Sequence, residues 1–333
     1  MQKVIVGLDI GGTKILSGII TPDGQIIARK KEPTGSLRDT REILNEIAET
    51  VRELMHLTKV GPGDILGVAV GAPGPLDYRN GVIKDPPNLM WRDLPLRDEL
   101  SKRLGKQLLL DNDANLAALG EWKFGKSKAG RHLIYLTVST GIGGGIIIDG
   151  ELYRGRDGGA GEFGRMMFET ETGQGSPSVI RCLEDLASGT AMASQAGALH
   201  RLGRGQAIMK FCAPDSPITA AEIGAAARQG VPEALEIVTR AGRYLGLAIA
   251  NLVNVFNPDR IVIGGGTGLG LQDLWADQLQ VGMEDGVAPS LGHGLKIEFT
   301  TLGEDIGLLG CAAAVLHELE KTGKISNTTF AFD

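Results

Sequence analysis

Residues 9–14 read Asp-Ile-Gly-Gly-Thr-Lys, which puts a carboxylate, two adjacent glycines, a hydroxyl and a cation in one short stretch. Glycines let backbone amides come close to a phosphate, while Thr13 and Lys14 add a hydroxyl donor and a positive charge. Asp9 suits a Mg²⁺ ion held through water, because Mg²⁺ keeps much of its hydration shell. Taken alone, Gly11 and Gly12 read equally well as the turn of a glycine hairpin. A second stretch, Ser139-Thr140-Gly141-Ile142-Gly143-Gly144-Gly145, repeats the same donors. Two facing glycine hairpins can clamp a triphosphate, so the pair argues for more than a turn. A third cluster, Asp111-Asn112-Asp113-Ala114-Asn115, sets two carboxylates around an amide just before an apolar helical run. A carboxylate of this kind can serve as a proton acceptor. The competing role for either aspartate is to cap the helix that follows.

These groups need elements to hold them. Residues 4–30 read as strand, glycine turn, strand, an Asp23-Gly24 turn and a third strand. The pattern returns over residues 132–155, with Asp149-Gly150 as its turn, so the chain reads as an internal duplication in which each copy opens a lobe. Between the copies, Ile43, Leu44, Ile47, Val51, Leu54 and Met55 recur at helical spacing. Residues 65–70 form a buried-strand candidate, and 108–110 form another that runs into Asp111. Pro73, Pro75, Pro86, Pro87 and Pro95 forbid a long helix between them. Further on, 219–228 and 232–256 read as helices, 259–263 and 295–300 as strands, and 306–319 as a closing Ala/Leu-rich helix. This alternation predicts an α/β protein of two packed lobes with a ligand cleft. The smaller lobe is expected over 1–112, with the helix at 306–321 packing back on it, and the larger over 113–305.

Two familiar patterns fail on context. Residues 120–127, Gly-Glu-Trp-Lys-Phe-Gly-Lys-Ser, match a Walker A loop by letter. The mechanism needs a strand and a slim loop before the helix, whereas here Trp122 and Phe124 would crowd the anion and the preceding segment is helical. The stretch is expected to be a helix C-terminus ended by Gly125. The glycines at 264–270 lack the spacing of a dinucleotide fingerprint, and no His-Glu-x-x-His occurs.

Composition narrows the class. The 333 residues carry 40 acids and 34 bases, a net charge of -6, which speaks against a nucleic-acid partner. A 42% hydrophobic content supplies a globular core. Cys182, Cys212 and Cys311 stand far apart without CxxC spacing, as expected of a reducing, cytoplasmic location. The apolar runs at 4–8 and 245–256 are too short for a signal peptide or a membrane span, so no membrane partner is expected.

The ordered motifs at 9–14, 111–121, 139–146, 158–164 and 262–266 resemble those of the ROK family (repressors, open reading frames and kinases), over almost the whole chain. The resemblance implies an actin-like, hexokinase-like duplicated ATPase fold and an ATP- and Mg²⁺-dependent sugar kinase. Glucose, phosphorylated at its 6-hydroxyl, is the favoured substrate. It assigns Asp113 as general base, and Gly71, Asn88, Asn112, Glu162 and Glu184 as sugar contacts beside it. Asp9, Gly11, Gly12, Thr13, Lys14, Thr140, Gly141 and Gly143 fall to the phosphates and Mg²⁺, and Gly264, Gly265 and Gly266 to adenosine. It also implies a homodimer.

The chain departs from the family at its zinc site. Arg165 stands at the family's His position, Gly175 and Pro177 at two Cys positions, and only Cys182 is retained. Arginine stays protonated and does not replace imidazole, and a structural zinc needs four ligands. No zinc is therefore expected. Arg165 is expected either to fork onto a nearby carboxylate, steadying Glu162 and Glu184, or to contact the sugar. The family's repressors carry a helix-turn-helix ahead of this body, and with the first motif at residue 9 none is expected here. Kinases of N-acetylglucosamine, N-acetylmannosamine or fructose, polyphosphate in place of ATP, and a catalytically silent sugar-binding protein are the remaining alternatives.

Overall fold

The structure is a computed structural model that describes residues 2–35, 39–86, 89–126, 130–170, 178–214 and 216–322. The chain divides into two compact units. One comprises Met1–Lys128, Gly145–Ala160 and Thr301–Asp333; the other comprises Ala129–Gly144 and Gly161–Thr300.

The first unit begins β1 (Val4–Ile10), β2 (Lys14–Ile20), β3 (Ile26–Pro33), α1 (Thr40–Thr58) and β4 (Ile65–Ala72). A short hairpin, β5 (Leu76–Asp77) and β6 (Val82–Ile83), leads to α2 (Leu96–Leu104), β7 (Leu108–Asn112) and α3 (Asp113–Phe124). The five-stranded sheet has the order β3-β2-β1-β4-β7. β1 is nearly all apolar because it lies at the centre of the sheet, buried on both faces. α1 turns Ile43, Leu44, Ile47, Val51 and Leu54 inward; Asp39 caps its start by accepting from the Arg41 amide. α3 ends with Gly125 as its C-cap, as residues 120–127 were expected to do.

The chain continues through β8 (Leu133–Val138), β9 (Ile142–Ile148), β10 (Glu151–Leu152) and a small pair, β11 (Met167–Thr170) and β12 (Val179–Cys182). Helices follow: α4 (Leu183–Ala187), α5 (Gly189–Arg201), α6 (Gln206–Met209), α7 (Ala220–Arg228) and α8 (Pro232–Phe256). β13 (Arg260–Gly264), α9 (Gly266–Gly270), α10 (Gln272–Gly286), β14 (Lys296–Phe299) and α11 (Ile306–Thr322) complete the chain. The second five-stranded sheet has the order β10-β9-β8-β13-β14. Position by position this repeats the first sheet, as the duplicated pattern predicted. α7 opens with a capping box between Thr219 and Glu222, and α8 opens on Pro232, where a missing amide costs nothing.

Each unit also packs a helix pair through glycines. In the first, α11 lies on β1, β4 and α3, and a Cβ at Gly310 would run into the Leu116 carbonyl of α3. In the second, α8 meets α10 where Gly246 and Gly282 face each other; a Cβ on Gly282 would stand 2.7 Å from the Arg243 carbonyl oxygen. Cys182, Cys212 and Cys311 are all free thiols. Among the described residues no helix is long and apolar enough to cross a membrane.

Candidate functional site

In the first unit, β1, β4 and β7 run parallel and end at one edge of the sheet. Asp9 lies opposite Gly71, Gly71 opposite Asp111, and Ala72 opposite Asn112. Ligands of open α/β sheets bind beyond the carboxyl ends of parallel strands, and here those ends carry the carboxylates. Gly71 sits between them. A Cβ at that position would be 3.6 Å from the Asp113 Cα and 3.7 Å from Asp9 Oδ1.

The glycine hairpin after β1 is closed by the Gly11 amide donating to the Lys14 carbonyl at 2.8 Å. Buried Thr34 braces it, its hydroxyl donating to the Gly11 carbonyl at 2.7 Å and its amide to the Thr13 carbonyl at 3.1 Å. Gly12 is half-buried and Thr13 exposed. Lys14 Nζ lies 3.4 Å from Glu304 Oε2, and Lys31 lies 3.2 Å from the same oxygen. Lys31, and then Lys14, hold the Glu304 carboxyl below its ordinary value. The pair is exposed and therefore weak, so Lys14 is available to a stronger anion.

Asp9 packs against Gly307 at the start of α11. Burial raises its carboxyl from the ordinary 3.8 to about 6, against the opposing pull of Lys14. A buried carboxylate short of countercharge suits a cation. Among the described residues no three His, Cys, Asp or Glu side chains gather as a cation cage. One carboxylate with phosphate oxygens and water is the donor set Mg²⁺ favours over an all-protein cage, so these residues fit the expected ion.

The Asp-Asn-Asp cluster divides its tasks. The helix cap is Asn112 rather than either aspartate: its Oδ1 accepts from the Ala114 amide at 2.9 Å and the Asn115 amide at 3.3 Å. It is the last extended residue before α3 begins, which is where a cap stands. Asp111 is buried, with 6% of its surface exposed. Its Oδ1 accepts from the Asn112 amide and Asn115 Nδ2, both at 2.8 Å, and its Oδ2 from Arg154 Nε at 2.7 Å. Asp113 opens the helix, where the helix dipole favours negative charge, and its Oδ1 accepts from the Ala114 amide at 2.8 Å.

In the second unit the parallel strands β8, β13 and β14 end together, with Gly264 opposite Thr137 and Ile263 opposite Phe299. The hairpin after β8 carries exposed Thr140 and half-buried Gly141 and Gly143. The Ser139 amide donates to the Gly141 carbonyl at 2.9 Å. Three supports hold the turn. The Ile142 amide donates to Glu184 Oε2 at 2.8 Å. The Gly189 amide at the start of α5 and the Thr267 hydroxyl both donate to the Ser139 carbonyl, at 2.8 and 3.1 Å. Gly265 has a φ of +83°, and a Cβ there would strike the Val138 carbonyl; around Gly266 the space is open.

Glu162 and Arg165 bracket the short turn Phe163–Arg165, and both are exposed. Phe163 is buried against Gly144, and Gly164 presses on the Ile142 carbonyl, which seats this turn on the second hairpin. Arg165 stands at the exposed end of the turn, and among the described residues no carboxylate pairs with it. Cys182 is buried and donates to Asp185 Oδ2 at 3.1 Å. Asn88, Gly175 and Pro177 lie outside the described residues.

Sequence reasoning missed Arg154, Thr34, Glu304, Gly189 and Thr267. All five act through partners distant in the chain, and nothing local marks them.

The ROK family model matches residues 5–318. A glucokinase of Thermotoga maritima is 33% identical over 317 residues, covering 95% of this chain and 98% of that protein. A xylose repressor of Caldicellulosiruptor bescii is 30% identical over 315 residues, covering 95% of this chain and 78% of the repressor. Among solved structures, a ROK family glucokinase from Streptomyces griseus in complex with glucose and AMPPNP superposes with a TM-score of 0.76 at 29% identity, covering 94% of this chain and 99% of that one. With the family model running almost end to end, and the same sheet built twice with its glycine hairpins in corresponding places, this chain belongs to the ROK family and has its actin-like ATPase fold.

Proposed function

We propose that this protein is a sugar kinase that transfers the terminal phosphoryl group of ATP to the 6-hydroxyl of an aldohexose, glucose foremost. The observation that carries the reading is the approach of two aspartates to Gly71, where a Cβ would stand 3.7 Å from Asp9 Oδ1 and 3.6 Å from the Asp113 Cα. An alcohol needs its proton taken as it attacks phosphorus, and Asp113 is the carboxylate for that step. Asp9 is the carboxylate that would hold the hydrated cation. Bound Mg²⁺ supplies charge neutralisation across the phosphate oxygens.

The chain's own groups do the rest. Gly71, Asn88, Asn112, Glu162 and Glu184 are proposed to hold the sugar hydroxyls, with Arg165 near the substituent the family's histidine meets. The Asn112 cap uses Oδ1, which fixes the side chain so that its amide nitrogen has a set direction. Gly11, Gly12, Thr13, Lys14, Thr140, Gly141 and Gly143 are proposed to meet the phosphates through amides and hydroxyls, and Gly264, Gly265 and Gly266 to face the adenosine. Glu184 already spends one oxygen on the second hairpin, so a sugar meeting its other oxygen would be sensed by the phosphate-binding turn. The glucokinase similarity supports glucose. The xylose repressor similarity supports a second reading, a sugar-binding protein without turnover.

The test is sugar-dependent ADP release from ATP and Mg²⁺ across glucose, mannose, fructose, N-acetylglucosamine and N-acetylmannosamine. The proposal expects turnover with glucose preferred. Preference for an N-acetylated sugar would keep the kinase and overturn the substrate; binding without turnover on every sugar would favour the second reading.

A further inference from the structure

Arg154 is the strongest unassigned group in the first unit. It follows β10 and reaches 43 residues back in sequence to Asp111, Nε to Oδ2 at 2.7 Å, where Asp111 is buried and Arg154 about two-thirds so. Its guanidinium also lies over the Tyr78 ring, 5.5 Å from the centroid. Tyr78 is itself a fixed platform: Gly158, at φ +93°, folds onto it so tightly that a Cβ would be 2.8 Å from its ring. A cation stacked on an aromatic face and bonded to a carboxylate has little freedom to drift.

What Arg154 fixes is the turn that carries Asp113. Asp111 grips both sides of that residue, through the Asn112 amide before it and the Asn115 side chain after it. Asn115 is buried, and its Nδ2 bond to Asp111 ties the first turn of α3 to the end of β7. With one Asp111 oxygen taken by that turn, Arg154 holds the other. Loss of Arg154 would leave a buried carboxylate half-satisfied, and the carboxylate would rotate to recover a donor. The turn between Asp111 and Asn115 would move with it.

We infer that Arg154 is a positioning residue for Asp113, acting through Asp111 to hold the base-bearing turn at the end of β7. This rests on the reading of Asp113 as the general base. Misplacing a reacting group by about 1 Å costs on the order of a hundredfold in rate, which sets the expected scale.

The test is a kinetic cycle on the full chain with ATP, Mg²⁺ and the preferred sugar. Arg154→Gln is expected to lower kcat roughly 10- to 100-fold while KM for sugar and for ATP stays within about threefold, since the loss falls on the transition state. Arg154→Lys, which keeps the charge but not the planar fork, should recover part of that rate. In an Asp113→Asn background, Arg154→Gln should add almost nothing, because residues acting through one group are not additive. A multiplicative loss in that background, or a loss confined to KM, would overturn the positioning role while leaving the base intact. Wild-type kcat in Asp113→Asn alone would instead remove the base assignment, and the positioning role with it.

Discussion

The two sheets share a strand order and a hairpin and differ in what stands at their strand ends. In the first unit the residue opposite the glycine of the neighbouring parallel strand is Asp9, against Gly71; in the second it is Thr137, against Gly264. At the end of β7 the first unit adds Asp111, with Asp113 just after it, whereas beyond β8 the second offers Ser139 and Thr140. Both copies therefore carry glycine and hydroxyl donors on a hairpin, and the first adds carboxylates at its strand ends. Charged groups suit a cation and a proton; small donors suit a phosphate and a flat base. The duplication repeats a frame, and chemistry enters only at the strand ends.

Three perturbations sharpen the contrast between shared frame and divergent ends. The largest effect belongs to the frame. Gly310→Ala puts a methyl against helix backbone that has no flexible neighbour to yield, and is expected to cost about 3 kcal/mol. Gly282→Ala, its counterpart in the second unit, meets the Arg243 carbonyl oxygen at 2.7 Å and should cost less. Thermal unfolding of the two variants checks the ranking, and equal losses would break it.

The next effect separates the ends. Folding raises the Asp9 carboxyl from 3.8 to about 6. The folded state therefore holds this proton more tightly than the unfolded state. The stability this provides is fully present below pH 3.8 and is lost as pH rises through about 6. Asp9→Asn should then stabilise the ligand-free protein at pH 8, by on the order of 2 kcal/mol, and much less at pH 4. A difference that does not vary with pH would contradict the burial of this charge. Thr137, without a charge, should show no such dependence when changed to Val.

The smallest effect lies at the second unit's glycines. Gly265→Ala forces a side chain into the left-handed region at φ +83°, a strain of about 1–3 kcal/mol. KM for ATP should rise roughly tenfold while KM for sugar holds. A change confined to the sugar would break the assignment of these strand ends.

Much of this was legible because it is local. The two glycine hairpins, the buried β1, α8 from its opening proline and the end of α3 at Gly125 each follow from neighbours in sequence. α2 was missed although Leu96, Leu100 and Leu104 mark a helical face, because the prolines before it draw the eye to a loop. The two-residue strands β5 and β6 are too short for any period to register. Asp111, Asn112 and Asp113 are all good helix caps, so type alone does not choose among them; the point at which the strand gives way to the helix does. The bond from Arg154 to Asp111 joins residues 43 positions apart and exists only once the chain has folded.

The proposed chemistry turns on Asp113, and its most direct test is the steady-state kinetics of Asp113→Asn beside calorimetric binding of the sugar. The expected kcat is lower by roughly 10²- to 10⁴-fold with sugar affinity retained within about threefold, because the amide keeps the shape of the first turn and loses only the proton acceptor. Wild-type turnover in this variant, or a loss that follows sugar affinity instead of rate, would contradict it.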